Sequence, residues 1–72
     1  MFTKYNATVT YAPFGFEGIV LSGVVGRTRK DAIECVMNVF RGFCESRGMA
    51  KWEADANAKM AKFKLSKVKA TN

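Results

Sequence analysis

Histidine is absent, proline occurs once and cysteine twice in this 72-residue sequence. Each scarcity excludes something. Without histidine the commonest general base and a principal metal ligand are missing. The two cysteines, Cys35 and Cys44, fall on one predicted helix, roughly 13 Å apart along its axis at 1.5 Å per residue. They cannot bridge each other and cannot share a zinc ion without movement. As small buried hydrophobes they suit a reducing compartment. No apolar run approaches the ~18 residues of a membrane span. The N-terminus lacks the continuous apolar stretch of a signal peptide, so a cytoplasmic protein is expected.

Acidic residues are also few, and unevenly placed. Residues 1–56 carry seven basic and six acidic side chains, whereas residues 57–72 carry five lysines and no acid. The net charge of +6 is therefore gathered towards the C-terminus. A basic run points to nucleic acid, an acidic protein surface or an anionic membrane, and otherwise to an edge strand kept soluble by lysine. No phosphate-loop glycine spacing is present. Glu17, Glu34, Glu45, Glu53 and Asp55 show no spacing that pairs carboxylates across a cleft. A chain this short has little room for a walled pocket. No enzyme, cofactor or metal site is expected, and the reading is a binding domain.

What is present begins with Thr28 to Gly48. Thr28 suits an N-cap, and Asp31 three residues on completes a capping-box pattern. Gly48 suits the left-handed position after a helix C-terminus. Between them, Ile33, Val36, Met37, Phe40 and Cys44 recur at helical spacing. Ala32, Cys35, Val39 and Phe43 widen that stripe. The pattern predicts one helix over about residues 28–47, covering a sheet. Gly42 inside it reads either as a close-packing point or as a weak point.

Lys4 to Tyr11 alternates, with Tyr5, Ala7, Val9 and Tyr11 on one side and Asn6, Thr8 and Thr10 on the other, the period of a half-buried strand. Ala12-Pro13-Phe14-Gly15 reads as a turn. Gly18 to Val25 reads as an interior strand, apolar on both faces, with Gly23 at a bulge or under the helix. After Gly48 two readings compete. Alternation from Lys51 through Lys69 predicts strand, with a phase flip at Met60-Ala61 that two strands joined by a tight turn near Ala56-Asn57, or one strand with a bulge, would produce. The rival is helix, because residues 51–68 contain neither Gly nor Pro and Trp52, Ala56, Met60 and Phe63 also stand at helical spacing. Strand is preferred. The expected fold is α+β: a small antiparallel sheet in the order β-β-α-β, with a fourth strand if the last segment divides, and one helix on one face. Residues 1–68 form the expected domain and 69–72 a frayed tail.

Two sets of surface residues follow. Arg27, Arg29 and Lys30 before the helix, with Lys59, Lys62, Lys64 and Lys67, are the candidates for binding nucleic acid or another anion. Phe14 and Phe16 in the hairpin loop, with Trp52, are the candidates for docking a partner protein. If Tyr5, Tyr11, Trp52 and Phe63 faced outward beside the lysines they would form a stacking platform for single strands; otherwise they are core. The expected partner is nucleic acid or an acidic, nucleic-acid-handling protein. The alternative is an inhibitor or adaptor that docks through the aromatic loop and a sheet edge. Homodimerisation through the wide helix stripe or a free edge is compatible with either.

Tyr5, Ala7 and Gly23, followed by Thr28-Arg29-Lys30-Asp31-Ala32 before an apolar helix, resemble the start of HicB-type antitoxins. That resemblance implies a strand–strand–helix layout over less than two thirds of the chain. The hairpin–helix–strand plan also resembles small phage-encoded inhibitors of host RNA polymerase, which implies protein docking.

Overall fold

A computed structural model describes residues 2–68; the expected frayed tail lies outside them. The alternating N-terminal stretch forms β1 (Thr3–Tyr11), which returns through the Pro13 turn into β2 (Val20–Gly26). The turn closes with Gly15 N–H donating to the Ala12 carbonyl at 3.3 Å. Then come α1 (Arg29–Ser46), α2 (Lys51–Met60) and β3 (Lys62–Lys67). The sheet is antiparallel in the order β2-β1-β3. The fold is thus a small α+β arrangement, with β1 central and two edge strands.

α1 starts and stops where its caps predict. The Asp31 N–H donates to Thr28 Oγ1 at 3.2 Å. At the far end Gly48 takes φ +95°, Gly48 N–H donates to the Glu45 carbonyl and Met49 N–H to the Cys44 carbonyl. That 5→2 and 6→1 pair satisfies carbonyls that would otherwise be orphaned. Ala32, Val36, Phe40 and Cys44, one residue every four, are fully buried in the core. The Phe40 ring meets Phe63 of β3 edge-on at 5.6 Å.

Several expectations are corrected. Residues 51–60 are helix, not strand, and among the described residues the sheet has three strands and no fourth. Ala54, Asn57 and Ala58 are the buried side of α2, an i, i+3, i+4 set. The buried set is small, and the largest apolar side chain, Trp52, faces out. Charge alternation at Lys51, Glu53 and Asp55 therefore imitated a strand.

β2 is an edge strand rather than an interior one. Its two faces are also divided differently. Tyr5 pairs with Val24 and Ala7 with Leu21, so Asn6 alone opposes Ser22 and Gly23. This is a bulge, carried by Gly23 at φ +78°. The extra residue brings Leu21 and Val24 onto the same, buried side and leaves Val20 and Val25 exposed.

A second irregularity ends β1. Val9 pairs with Phe63, but Tyr11 pairs with Lys62. Thr10 is the extra residue, and its hydroxyl donates to the Lys62 carbonyl at 3.1 Å. Tyr5, Ala7 and Val9 stay under the helix while Tyr11 leaves their side and becomes exposed.

Gly42 has nothing within 4 Å of an added Cβ, so it is no packing point. Gly42→Ala is expected to stabilise the protein by about 0.5–1 kcal/mol. In a domain this small that raises Tm by roughly 2–8 °C, measurable by thermal unfolding; an unchanged or lowered Tm would count against an open position on a regular helix.

Candidate anion-binding face and aromatic knob

The face of the sheet away from α1 is built by strand alternation. Lys4, Asn6, Thr8 and Thr10 project there from β1, joined by Tyr11 beyond the irregularity, and Lys62, Lys64 and Ser66 project from β3. Thr8 pairs with Lys64 on one side and with Val20 on the other; Asn6 pairs with Ser66. Lys4 pairs with Val25. Lys4 and Lys62 stand at opposite ends of this surface, on the order of 20 Å apart at ~3.4 Å per strand residue. None of the six acids lies on a strand: Glu17 is in the hairpin loop, Asp31, Glu34 and Glu45 on α1, Glu53 and Asp55 on α2. The face is basic, rich in hydroxyl and amide groups, and free of opposing charge.

The expected anion-binding residues are only partly brought together. Lys62 and Lys64 share the open face. Lys67 pairs with Tyr5, a helix-side position, at the end of β3. Arg27 follows β2 and lies over the Phe2 ring at 5.1 Å. Arg29 and Lys30 are exposed in the first turn of α1. Because Thr3 pairs with Gly26 and Val68 N–H donates to the Lys4 carbonyl, the ends of β2 and β3 flank the start of β1. Arg27, Arg29, Lys30 and Lys67 therefore all lie towards that end. Lys59 is not on the C-terminal strand, as expected, but in the last turn of α2. The sequence reading missed Lys4, although it shares the phase of Asn6, Thr8 and Thr10, which was the available signal.

The aromatic residues divide in two. Tyr5 is buried and Phe63 half-buried on the helix side. They are core, and Tyr11 alone among the expected stacking rings stands on the open face. Phe16, expected in the docking set, packs edge-on against Phe43 at 5.1 Å and belongs to the core margin. Its φ of +71° is an outlier for a bulky residue, held by that packing. Phe14 and Trp52 remain outside. Their rings meet edge-on at 6.2 Å, with Trp52 68 % and Phe14 40 % exposed.

One buried side chain fixes this knob. Asn57 is fully buried; its Oδ1 accepts from Phe14 N–H at 3.0 Å, and its Nδ2 donates to the Gly15 carbonyl at 3.1 Å and approaches Cys44 Sγ at 3.5 Å. Hairpin turn, α1 and α2 are tied at a single amide. Burial pushes the Cys44 thiol above its ordinary pKa, with the Asn57 contact opposing more weakly; the thiol is neutral and poorly nucleophilic at neutral pH.

Among the described residues no group of three Cys, Asp or Glu gathers as metal ligands, and no helix is long and apolar enough to cross a membrane. Comparison with protein-family models, curated proteins and solved structures finds no match. Function is therefore read from geometry.

Proposed function

We propose that this chain is a non-enzymatic binding domain whose open sheet face lies against a polyanion, the backbone of a nucleic acid. The observation that carries this reading is the sorting of charge. The strands hold Lys4, Lys62, Lys64 and Lys67 and no acid, while all six acids lie elsewhere. Lysine supplies point charges to phosphate oxygens, and release of condensed counterions drives such binding. Thr8, Asn6 and Ser66 supply neutral donors between the lysines, as phosphate and sugar contacts commonly require, whereas the Thr10 hydroxyl already donates to the Lys62 carbonyl. With Tyr11 as the one strand ring on the open face, backbone contact dominates and base stacking is minor. Arg27, Arg29, Lys30 and Lys67 extend the positive surface at one end.

The test is fluorescence anisotropy with labelled mixed-sequence single-stranded and duplex oligonucleotides at several salt concentrations. Binding is expected at low salt and is expected to weaken steeply as salt rises. Replacing Lys4, Lys62 and Lys64 together by glutamine removes three phosphate contacts. The slope of log affinity against log salt is expected to become shallower by about 2–3. Failure to bind either oligonucleotide at low salt, or a slope indifferent to the triple replacement, would reject the reading.

A further inference from the structure

The open sheet face leaves the aromatic knob unexplained, and a separate observation bears on it. Trp52, Ala56 and Met60 repeat every four residues along the outward side of α2, a stripe roughly 12 Å long at 1.5 Å per residue. Met60 is 49 % exposed, and the 40 %-exposed Phe14 ring extends the stripe sideways from Trp52. A small protein gains stability by burying such groups, and apolar area left together in water commonly marks a contact surface. Trp52 is also poorly placed to support the fold, since most of its surface never leaves solvent. Phe14, in contrast, has its backbone held by Asn57 at 3.0 Å. The ring is presented on a fixed main chain, which lowers the ordering cost of a contact.

The surrounding charge indicates what the stripe meets. Lys51 and Lys62 stand at its two ends, and Lys59, seven residues after Trp52, shares its side of α2. Of the two acids on α2, Asp55 turns its carboxylate towards Arg41, 3.5 Å away, and Glu53 is half-buried. A second copy of this chain would bring another +6 against the same lysines, which opposes self-association.

We infer that Trp52, Met60 and Phe14 anchor an acidic segment of a different protein, its apolar side chains seated on the stripe and its carboxylates beside Lys51, Lys59 and Lys62. Central apolar anchors with a charged rim give affinity and orientation respectively. Lys62 belongs to both surfaces, but the anchors Trp52, Met60 and Phe14 do not depend on the nucleic-acid reading, and Lys4 and Lys64 lie on the sheet face outside the stripe.

The probe is a random twelve-residue peptide display library selected on the immobilised full chain, with selected peptides then synthesised and titrated against Trp52 fluorescence, the sole tryptophan. Selected sequences are expected to combine Asp or Glu with Leu, Phe or Trp, and to shift the Trp52 emission to the blue. Trp52→Ser should lose their binding, followed for this variant by anisotropy of labelled peptide, while leaving the urea midpoint nearly unchanged. Met60→Ser should weaken binding at least tenfold. Lys4→Gln combined with Lys64→Gln should leave peptide affinity intact even if oligonucleotide binding falls. The inference is overturned if no peptide is enriched, if enriched peptides lack acidic residues, or if they bind Trp52→Ser as well as the parent. It is equally overturned if the free protein self-associates with a blue shift of Trp52, or if an oligonucleotide produces that shift.

Discussion

Replacing Gly26 by alanine is expected to cost about 3 kcal/mol or more, seen as a lowered urea midpoint with the slope of the transition unchanged. A Cβ at this position would lie 2.5 Å from the Ala32 nitrogen, 2.9 Å from the Ala32 Cα and 3.0 Å from the Thr28 carbonyl oxygen. All three are backbone atoms of the first turn of α1, where Ala32 N–H donates to the Thr28 carbonyl at 3.0 Å. No rotamer change relieves the clash; either β2 and α1 separate or that turn unwinds. Overpacking of this kind typically costs ~1–3 kcal/mol, and more when the neighbour is main chain. A 72-residue domain has on the order of 4–11 kcal/mol in total, so the variant should be close to unfolding at physiological temperature. Gly23→Ala is the control. Its φ of +78° carries a local penalty of roughly 1–2 kcal/mol, but nothing lies within 4 Å of the added carbon. If both alanine variants lost the same stability, the close approach at Gly26 would not be what joins β2 to the helix.

That contrast shows where sequence patterns stop being informative. The limits of α1 were legible because Thr28, Asp31 and Gly48 act on their own neighbours, within one turn. The hairpin was legible for the same reason: Pro13 and Gly15 set a local turn between alternating stretches. Gly23 and Gly26 look alike in the sequence, yet one absorbs a bulge and the other admits a helix, and only the partner strand and helix distinguish them. Tyr11 shares the period of Tyr5, Ala7 and Val9 but leaves their side because Thr10 is an extra residue relative to β3, a property of the pair and not of either strand. α2 was misread as strand because its buried side is made of Ala54 and Ala58, residues too small to mark a period. For the candidate surfaces, Lys62 and Lys64 were legible from alternation, and Trp52 and Phe14 from being large rings in polar or turn contexts. Lys59 was misplaced with the helix that carries it. Asn57 reads only as half of a tight turn, because a buried amide has no signature in one sequence.

Asn57→Leu is the second large expected effect, and it reaches both stability and the proposed docking surface. Leucine keeps the branched skeleton of asparagine but is apolar and bulkier, so the change removes the hydrogen bonds and crowds the site as well. Phe14 N–H and the Gly15 carbonyl lose their partner, and the Cys44 thiol loses a donor. A buried group left unpaired costs about 1–3 kcal/mol. The hairpin turn is only half-buried, so water should reach part of it, and a total loss of roughly 2–4 kcal/mol is expected from urea unfolding. Asn57→Asp separates the two halves of the amide. Its carboxylate can still accept from Phe14 N–H but cannot donate to Gly15 and is disfavoured by burial, which raises a carboxyl pKa in the folded state. A group whose folded pKa lies above its unfolded value stabilises below the unfolded value, and that contribution is lost as pH rises through the folded one. The aspartate variant should therefore approach parental stability near pH 4 and fall away towards neutrality, whereas the leucine variant should trail the parent by a similar margin at both. With the turn released, the Phe14 ring is no longer fixed beside Trp52, so the emission of Trp52 should change in Asn57→Leu under conditions where the variant remains folded by circular dichroism. An unaltered emission, with stability within ~0.5 kcal/mol of the parent, would mean that the hairpin turn holds its place against α2 through apolar packing alone.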